Sequence, residues 1–101
     1  MAKLPKLPKS HAERALKKLV GSATGMVELE NGRGYFVSRG IFFVEVCLED
    51  MWPSGVFIRG DIYFKGTIIK TVYLNQESFE PDLVITEQAE RIKAKERRAN
   101  H

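Results

Sequence analysis

The sequence predicts an α+β domain: an N-terminal helix, five or six short strands in an antiparallel meander or a small bent barrel, and a C-terminal helix. Three observations carry this. Ile41–Leu48 is apolar on both of its alternating rows, broken only by Glu45, the pattern of a strand in mid-sheet with something packed over each face. Around it stand short strand-like runs divided by Gly, Pro and Asn signals, which suits neighbouring antiparallel strands and not a parallel sheet with crossover helices. Helical spacing is found only toward the two ends. At 101 residues the chain is long enough for one modest core. The boundaries expected are a basic flexible arm over 1–9, a single α+β domain over 10–85 and a basic helix or tail over 86–101.

Residues 1–9 contain the repeat KLPKLPK, whose three-residue period suits polyproline II, with Lys3, Lys6 and Lys9 along one edge. Ser10 and Glu13 have the spacing of a capping box that opens a helix. Ala12, Leu16, Leu19 and Val20 give that helix one apolar face, and Gly21 is its natural stop. From Gly25 to Val37 the chain reads as a hairpin turned at Asn31-Gly32, a pair that favours the left-handed angles of a type I′ turn. Ser38-Arg39-Gly40 leads into the central strand, and Glu49–Gly55 leads out of it. Val56–Arg59, Ile62–Phe64 and Thr67–Leu74 are further strands, broken at Gly60-Asp61 and Lys65-Gly66. Lys70 is a candidate cross-strand partner for Glu45. After a polar connection over Asn75–Pro81, residues from about Thr86 to Ala99 are strong helix formers, with Ile85, Ala89 and Ile92 on one side and Glu87–Arg91 and Glu90–Lys93 as supporting pairs.

The net charge of +3 is unevenly spread: residues 1–20 carry +5, residues 86–101 carry +2, and the middle carries −4. Basic ends on an acidic body favour a polyanionic or acidic partner. The single cysteine, Cys47, cannot form an internal disulfide and lies in the most apolar strand, so a cytoplasmic protein with a buried thiol is expected. No run approaches the roughly 20 apolar residues of a membrane span, and MAKLPKLPKS lacks the apolar core of a secretory signal. His11 and His101 have no second ligand at zinc spacing, no phosphate-cradling glycine loop opens a helix, and Ser10 beside His11 is adjacency without a triad. The expectation is a protein that is not an enzyme and carries no cofactor and no metal.

Val27-Glu28-Leu29-Glu30-Asn31-Gly32-Arg33 resembles the opening of the first Sm motif, and Val56-Phe57-Ile58-Arg59-Gly60-Asp61 resembles the second. The capped helix ahead of them is similar to the Sm-like plan of one helix before a bent five-stranded sheet. The resemblance implies a ring of copies and puts Arg59 and Gly60 at a turn that helps hold uridine-rich RNA. The Asp and Met-Asn of that family's RNA-contacting loop do not stand at Gly40–Val44.

The functional expectation is a small nucleic-acid-binding protein, RNA ahead of DNA. Its phosphate contacts are Lys3, Lys6, Lys9, Arg14, Lys17, Lys18, Arg59, Arg91, Lys95, Arg97 and Arg98, with Tyr35, Phe36 or Tyr63 as stacking surfaces. The alternative, from a different class, is a protein-binding adaptor or inhibitor of the phage or plasmid type that docks on an acidic host protein through the same ends or through Met51–Pro53. There Trp52 is either an interface anchor or, the commoner fate of a loop tryptophan, a plug folded over the end of the core.

Overall fold

The computed structural model describes the backbone of residues 4–99 and the side chains of residues 4–92. Helix α1 spans Lys9–Val20. Strands β1 to β5 span Val27–Glu28, Gly34–Arg39, Phe42–Asp50, Val56–Phe64 and Thr67–Asn75, and helix α2 spans Leu83–Ala99. Each strand pairs antiparallel with its neighbour in sequence, giving the order β1-β2-β3-β4-β5. The expected α+β meander is therefore the fold. It has five strands and ends at β1 and β5 as an open sheet, not a barrel.

Strand β3 holds the centre, as its two apolar rows predict, but the cover expected over both faces is complete on only one: Phe43, Glu45 and Cys47 on the other remain part-exposed. Val44 and Val46 point to one side with Tyr35 and Val37 of β2, Ile58 of β4 and Leu74 of β5. Against this face pack Ala12, Ala15 and Leu16 of α1, together with Leu7 and Phe79. Full burial of each branched side chain is worth about 1.5–3 kcal/mol, so this layer dominates stability. Leu7 is fully buried, and its amide reaches the Arg33 carbonyl at 3.5 Å. The segment predicted as a flexible arm is thus fastened to the sheet over the part that is described, with Pro8 at the expected polyproline II angles of φ −61° and ψ 145°.

The opposite face carries Phe36, Phe43, Glu45, Cys47, Glu49, Arg59, Asp61, Tyr63, Thr71 and Tyr73. Helix α2 covers only one end of it, where Ile85 and Ala89 bury Phe57 and Tyr73 beside Met51. The Asp82 carboxylate accepts from the Ile85 amide at 3.0 Å and so caps this helix. The Thr86 hydroxyl accepts from the Tyr73 amide at 3.2 Å and pins the helix to β5.

Several local expectations are corrected. The Ser10–Glu13 capping box does not form, because α1 begins at Lys9 behind Pro8, which places Ser10 inside the first turn with no side-chain cap bond. Gly21 does end the helix in the left-handed conformation, donating to Lys17 at 2.9 Å. The Asn31-Gly32 hairpin is looser than a two-residue turn: Glu28 pairs with Tyr35, and residues 29–33 form the loop, closed by Leu29 N–H to the Gly34 carbonyl at 2.9 Å. Gly60-Asp61 is not a break. Strand β4 runs through it because Gly60 packs under Leu19, where a Cβ would come within 2.5 Å of Cδ1. Lys70 lies opposite Ile62, while Glu45 lies opposite Asp61, so those two never meet. Helix α2 starts at Leu83, three residues before the predicted start, and Ile92 is 54% exposed because the helix has outrun the sheet that buries Ile85 and Ala89. Trp52 is 84% exposed and plugs nothing.

Candidate functional site

The described structure offers two surfaces of opposite sign. The first is the outer side of α1. Ala12, Ala15 and Leu16 are buried on the sheet, which turns Arg14, Lys17 and Lys18 outward. These three line a shallow groove of about 350 Å³ with Ser78 and Phe79, from the loop after β5. Asn75 shapes that loop: its side-chain oxygen accepts from the amides of Glu77 at 2.8 Å and Ser78 at 3.1 Å, and its carbonyl accepts from Phe79 at 2.8 Å. The Arg14 guanidinium lies 4.2 Å from the centre of the Phe79 ring, and the His11 ring meets the same phenyl edge-on at 5.6 Å. At that distance the ring attracts the guanidinium and favours its staying over Phe79.

Among the described residues, Lys9, Arg14 and Lys17 make no ion pair. Lys6 pairs with Glu28, Lys18 with Glu80 at 2.9 Å, and Arg91 with Glu87 at 3.9 Å, all well exposed. Such exposed pairs are worth about 0–1 kcal/mol, little enough for a stronger anion to displace them. Lys3 lies outside the described residues, as do the side chains of Lys95, Arg97 and Arg98.

The second surface is the open part of the sheet face turned away from α1. Phe36 stacks on Phe43 with centroids 4.6 Å apart, and Phe43 meets Tyr63 edge-on at 5.5 Å, so the rings form one row across β2, β3 and β4. Tyr35, named with Phe36 and Tyr63 as a stacking surface, points the other way and is buried under α1. Beside the row the Tyr63 hydroxyl donates to Glu45 at 3.1 Å. Arg59 donates from Nη1 to Glu49 at 2.8 Å, places Nε 3.1 Å from Asp61 Oδ2, and brings Nη2 to 3.4 Å from Cys47 Sγ. Asp61, only 4% exposed, also accepts from the Thr71 hydroxyl at 2.7 Å. Arg59 is therefore occupied by carboxylates of its own chain, in mid-strand and not at the turn implied by the Sm resemblance.

Burial works against the charge on Arg59, but Cys47, Asp61 and Glu49 outweigh it and hold the guanidinium protonated beyond its ordinary range. Burial pushes the Cys47 thiol up, with Arg59 pulling the other way and Asp61, Glu45 and Glu49 adding to the rise, so the thiol is a poor nucleophile. Burial and then Glu45 push the Tyr63 phenol up to about 12, and burial and then Glu49 raise Tyr73. A raised phenol pKa stabilises the folded state below the unfolded value near 10 and withdraws that stability as pH climbs to the folded value. Urea midpoints should therefore hold to about pH 10 and fall from there toward pH 12, with a shallower fall in Tyr63→Phe. Stability that is level across this window, or that falls as steeply in the variant, would mean that Glu45 does not hold the phenol.

Among the described residues no group of three or more His, Cys, Asp or Glu side chains is arranged to hold a metal, and no helix is long and apolar enough to cross a membrane. No protein family, curated protein or solved structure matches the chain. The Phe79 floor has no sign in the sequence, whereas two rings of the row, Phe36 and Tyr63, are among the stacking surfaces it predicts, and Phe43 is the member it leaves out. Glu45, the one interruption of the central strand, was the available sign that its face is not core.

Proposed function

We propose that the protein is a small non-enzymatic module that binds single-stranded nucleic acid, RNA ahead of DNA, through phosphate contacts on the outer side of α1. The observation that carries this is the convergence of Arg14, Lys17 and Lys18 on one groove, with the Arg14 guanidinium 4.2 Å from the centre of the Phe79 ring and neither Arg14 nor Lys17 neutralised among the described residues. A planar guanidinium beside two ammonium groups suits consecutive phosphates of a flexible strand. The bland role of Lys17 and Lys18, cations in the last helical turn, accounts for their place but not for Arg14 on its aromatic floor.

The test is the salt dependence of binding to a labelled RNA oligonucleotide. Three contacts on a single strand predict a log–log slope of about −2, and Arg14→Gln or Lys17→Gln should each reduce it by about 0.7. A slope near zero, or variants that bind as the parent does, overturns the proposal.

A second reading rests on Trp52. A side chain 84% exposed at the tip of the β3–β4 hairpin has the character of an anchor that becomes buried only on a protein partner. Trp52→Ala should leave the RNA salt slope unchanged under the first reading. Under the second it should abolish capture of an acidic protein by a domain that remains folded.

A further inference from the structure

The acidic sheet face lies apart from the groove on α1, and its chemistry is the reverse. Glu45 sits between three rings: Phe36 is its cross-strand partner on β2, Phe43 precedes it by two residues on the same face, and Tyr63 donates to it. The Tyr63 bond uses one of the acceptor sites on this carboxylate and leaves its charge in place, since the phenol stays neutral. From this point a cavity of about 510 Å³ opens toward the loop between β1 and β2, where Leu29, Glu30 and Asn31 form its wall. Among the described residues that line it the one cation is Arg59, already taken by Glu49 and Asp61. Among the described residues no ion pair reaches Glu30 or Glu45.

We propose that this face docks a lysine- or arginine-rich segment of a partner protein. One cationic head would lie over the Phe36–Phe43 rings against Glu45, and a neighbouring one would reach Glu30. Ring faces and a carboxylate complement an alkylammonium or guanidinium in two ways: the rings cover its apolar stem and attract its charge, and the carboxylate supplies the counter-ion. A nucleic-acid strand is the wrong occupant despite the stacked rings, because Glu30 and Glu45 would face its phosphates while Arg59, the guanidinium that lines the cavity, is already held by Glu49 and Asp61. The charge of the whole chain does not produce the attraction either. At +3 it repels a cationic peptide, so any binding is the work of this local surface.

A short labelled peptide alternating lysine and alanine tests this by fluorescence anisotropy at low salt, with a glutamate–alanine peptide as the opposite charge control. The parent protein should bind the cationic peptide. Glu45→Gln, which keeps an acceptor for Tyr63, should weaken that binding about tenfold, as should Phe36→Ala. Glu77→Gln, on a remote exposed loop, should change nothing. Thermal melts establish that each variant is folded, and because Glu45→Gln is isosteric the test survives if Phe36→Ala does not fold. Absence of binding by the parent overturns the proposal. So does equal weakening by Glu45→Gln and Glu77→Gln, which would reveal diffuse charge, and so does displacement of the peptide by self-association of the chain. The RNA slope of the α1 variants is measured separately, so either surface can fail alone.

Discussion

Gly34→Ala is expected to cost the domain about 3 kcal/mol, the upper end of what overpacking a well-filled interior removes. Gly34 opens β2 opposite Cys47, and a Cβ there would stand 2.0 Å from the Val46 carbonyl oxygen and 3.1 Å from the Cys47 Cβ. The obstacle is backbone, so no rotamer change can relieve it. Strand β2 would have to retreat from β3 at this point, weakening the pairs Gly34–Cys47 and Tyr35–Val46 and the Leu29 bond to the Gly34 carbonyl that closes the β1–β2 loop. Tyr35, 8% exposed under α1, would move with it. Gly60→Ala makes the comparison: its Cβ meets the free end of Leu19 at 2.5 Å, which can rotate away, so the cost should be about 1 kcal/mol. Urea denaturation of the two variants measures the difference. A Gly34→Ala unfolding free energy within about 0.5 kcal/mol of the parent would mean that β2 does not approach β3 so closely.

The elements that sequence reasoning placed well are those whose signals are local. Ile41–Leu48 declared itself central because both rows are apolar, and α1 was legible from its apolar spacing and from Gly21. What failed depended on neighbours distant in sequence. Gly60 resembles a turn residue until Leu19 is seen above it, and Asn31-Gly32 promises a tight turn until Val27 is found paired with Phe36. The basic ends were visible, but not that Lys6 and Lys18 would meet Glu28 and Glu80, because ion pairs between separate elements leave no periodic trace. For Arg59 one sign was available: Asp61 stands two residues later, which on a continuous strand puts both side chains on one face. Reading Gly60-Asp61 as a break hid it.

Arg59→Leu is expected to cost about 3 kcal/mol, near the lower end for breaking a buried ion pair, because its side chain is about a third exposed and water can reach part of the vacated space. Without the guanidinium, Asp61 keeps only its bond from Thr71 at 2.7 Å, although its carboxylate is 5% exposed. Glu49 loses the donor at 2.8 Å on one oxygen, while its other oxygen is already buried without a partner among the described residues. The penalty is therefore that of stranded carboxylates more than of a lost attraction, and this makes it separable. Adding Asp61→Asn removes one charge but keeps an acceptor for Thr71, so the double variant should recover about half of the loss. If instead Arg59→Leu costs less than about 1 kcal/mol, water satisfies the carboxylates and the guanidinium is available to an external anion. The RNA measurement decides the same point from the other side. With Arg59 committed to Glu49 and Asp61, Arg59→Leu should leave the salt slope of its folded fraction at the parent value, whereas Arg14→Gln reduces it. A slope lowered by both would return Arg59 to the phosphate surface and join the two faces into one site.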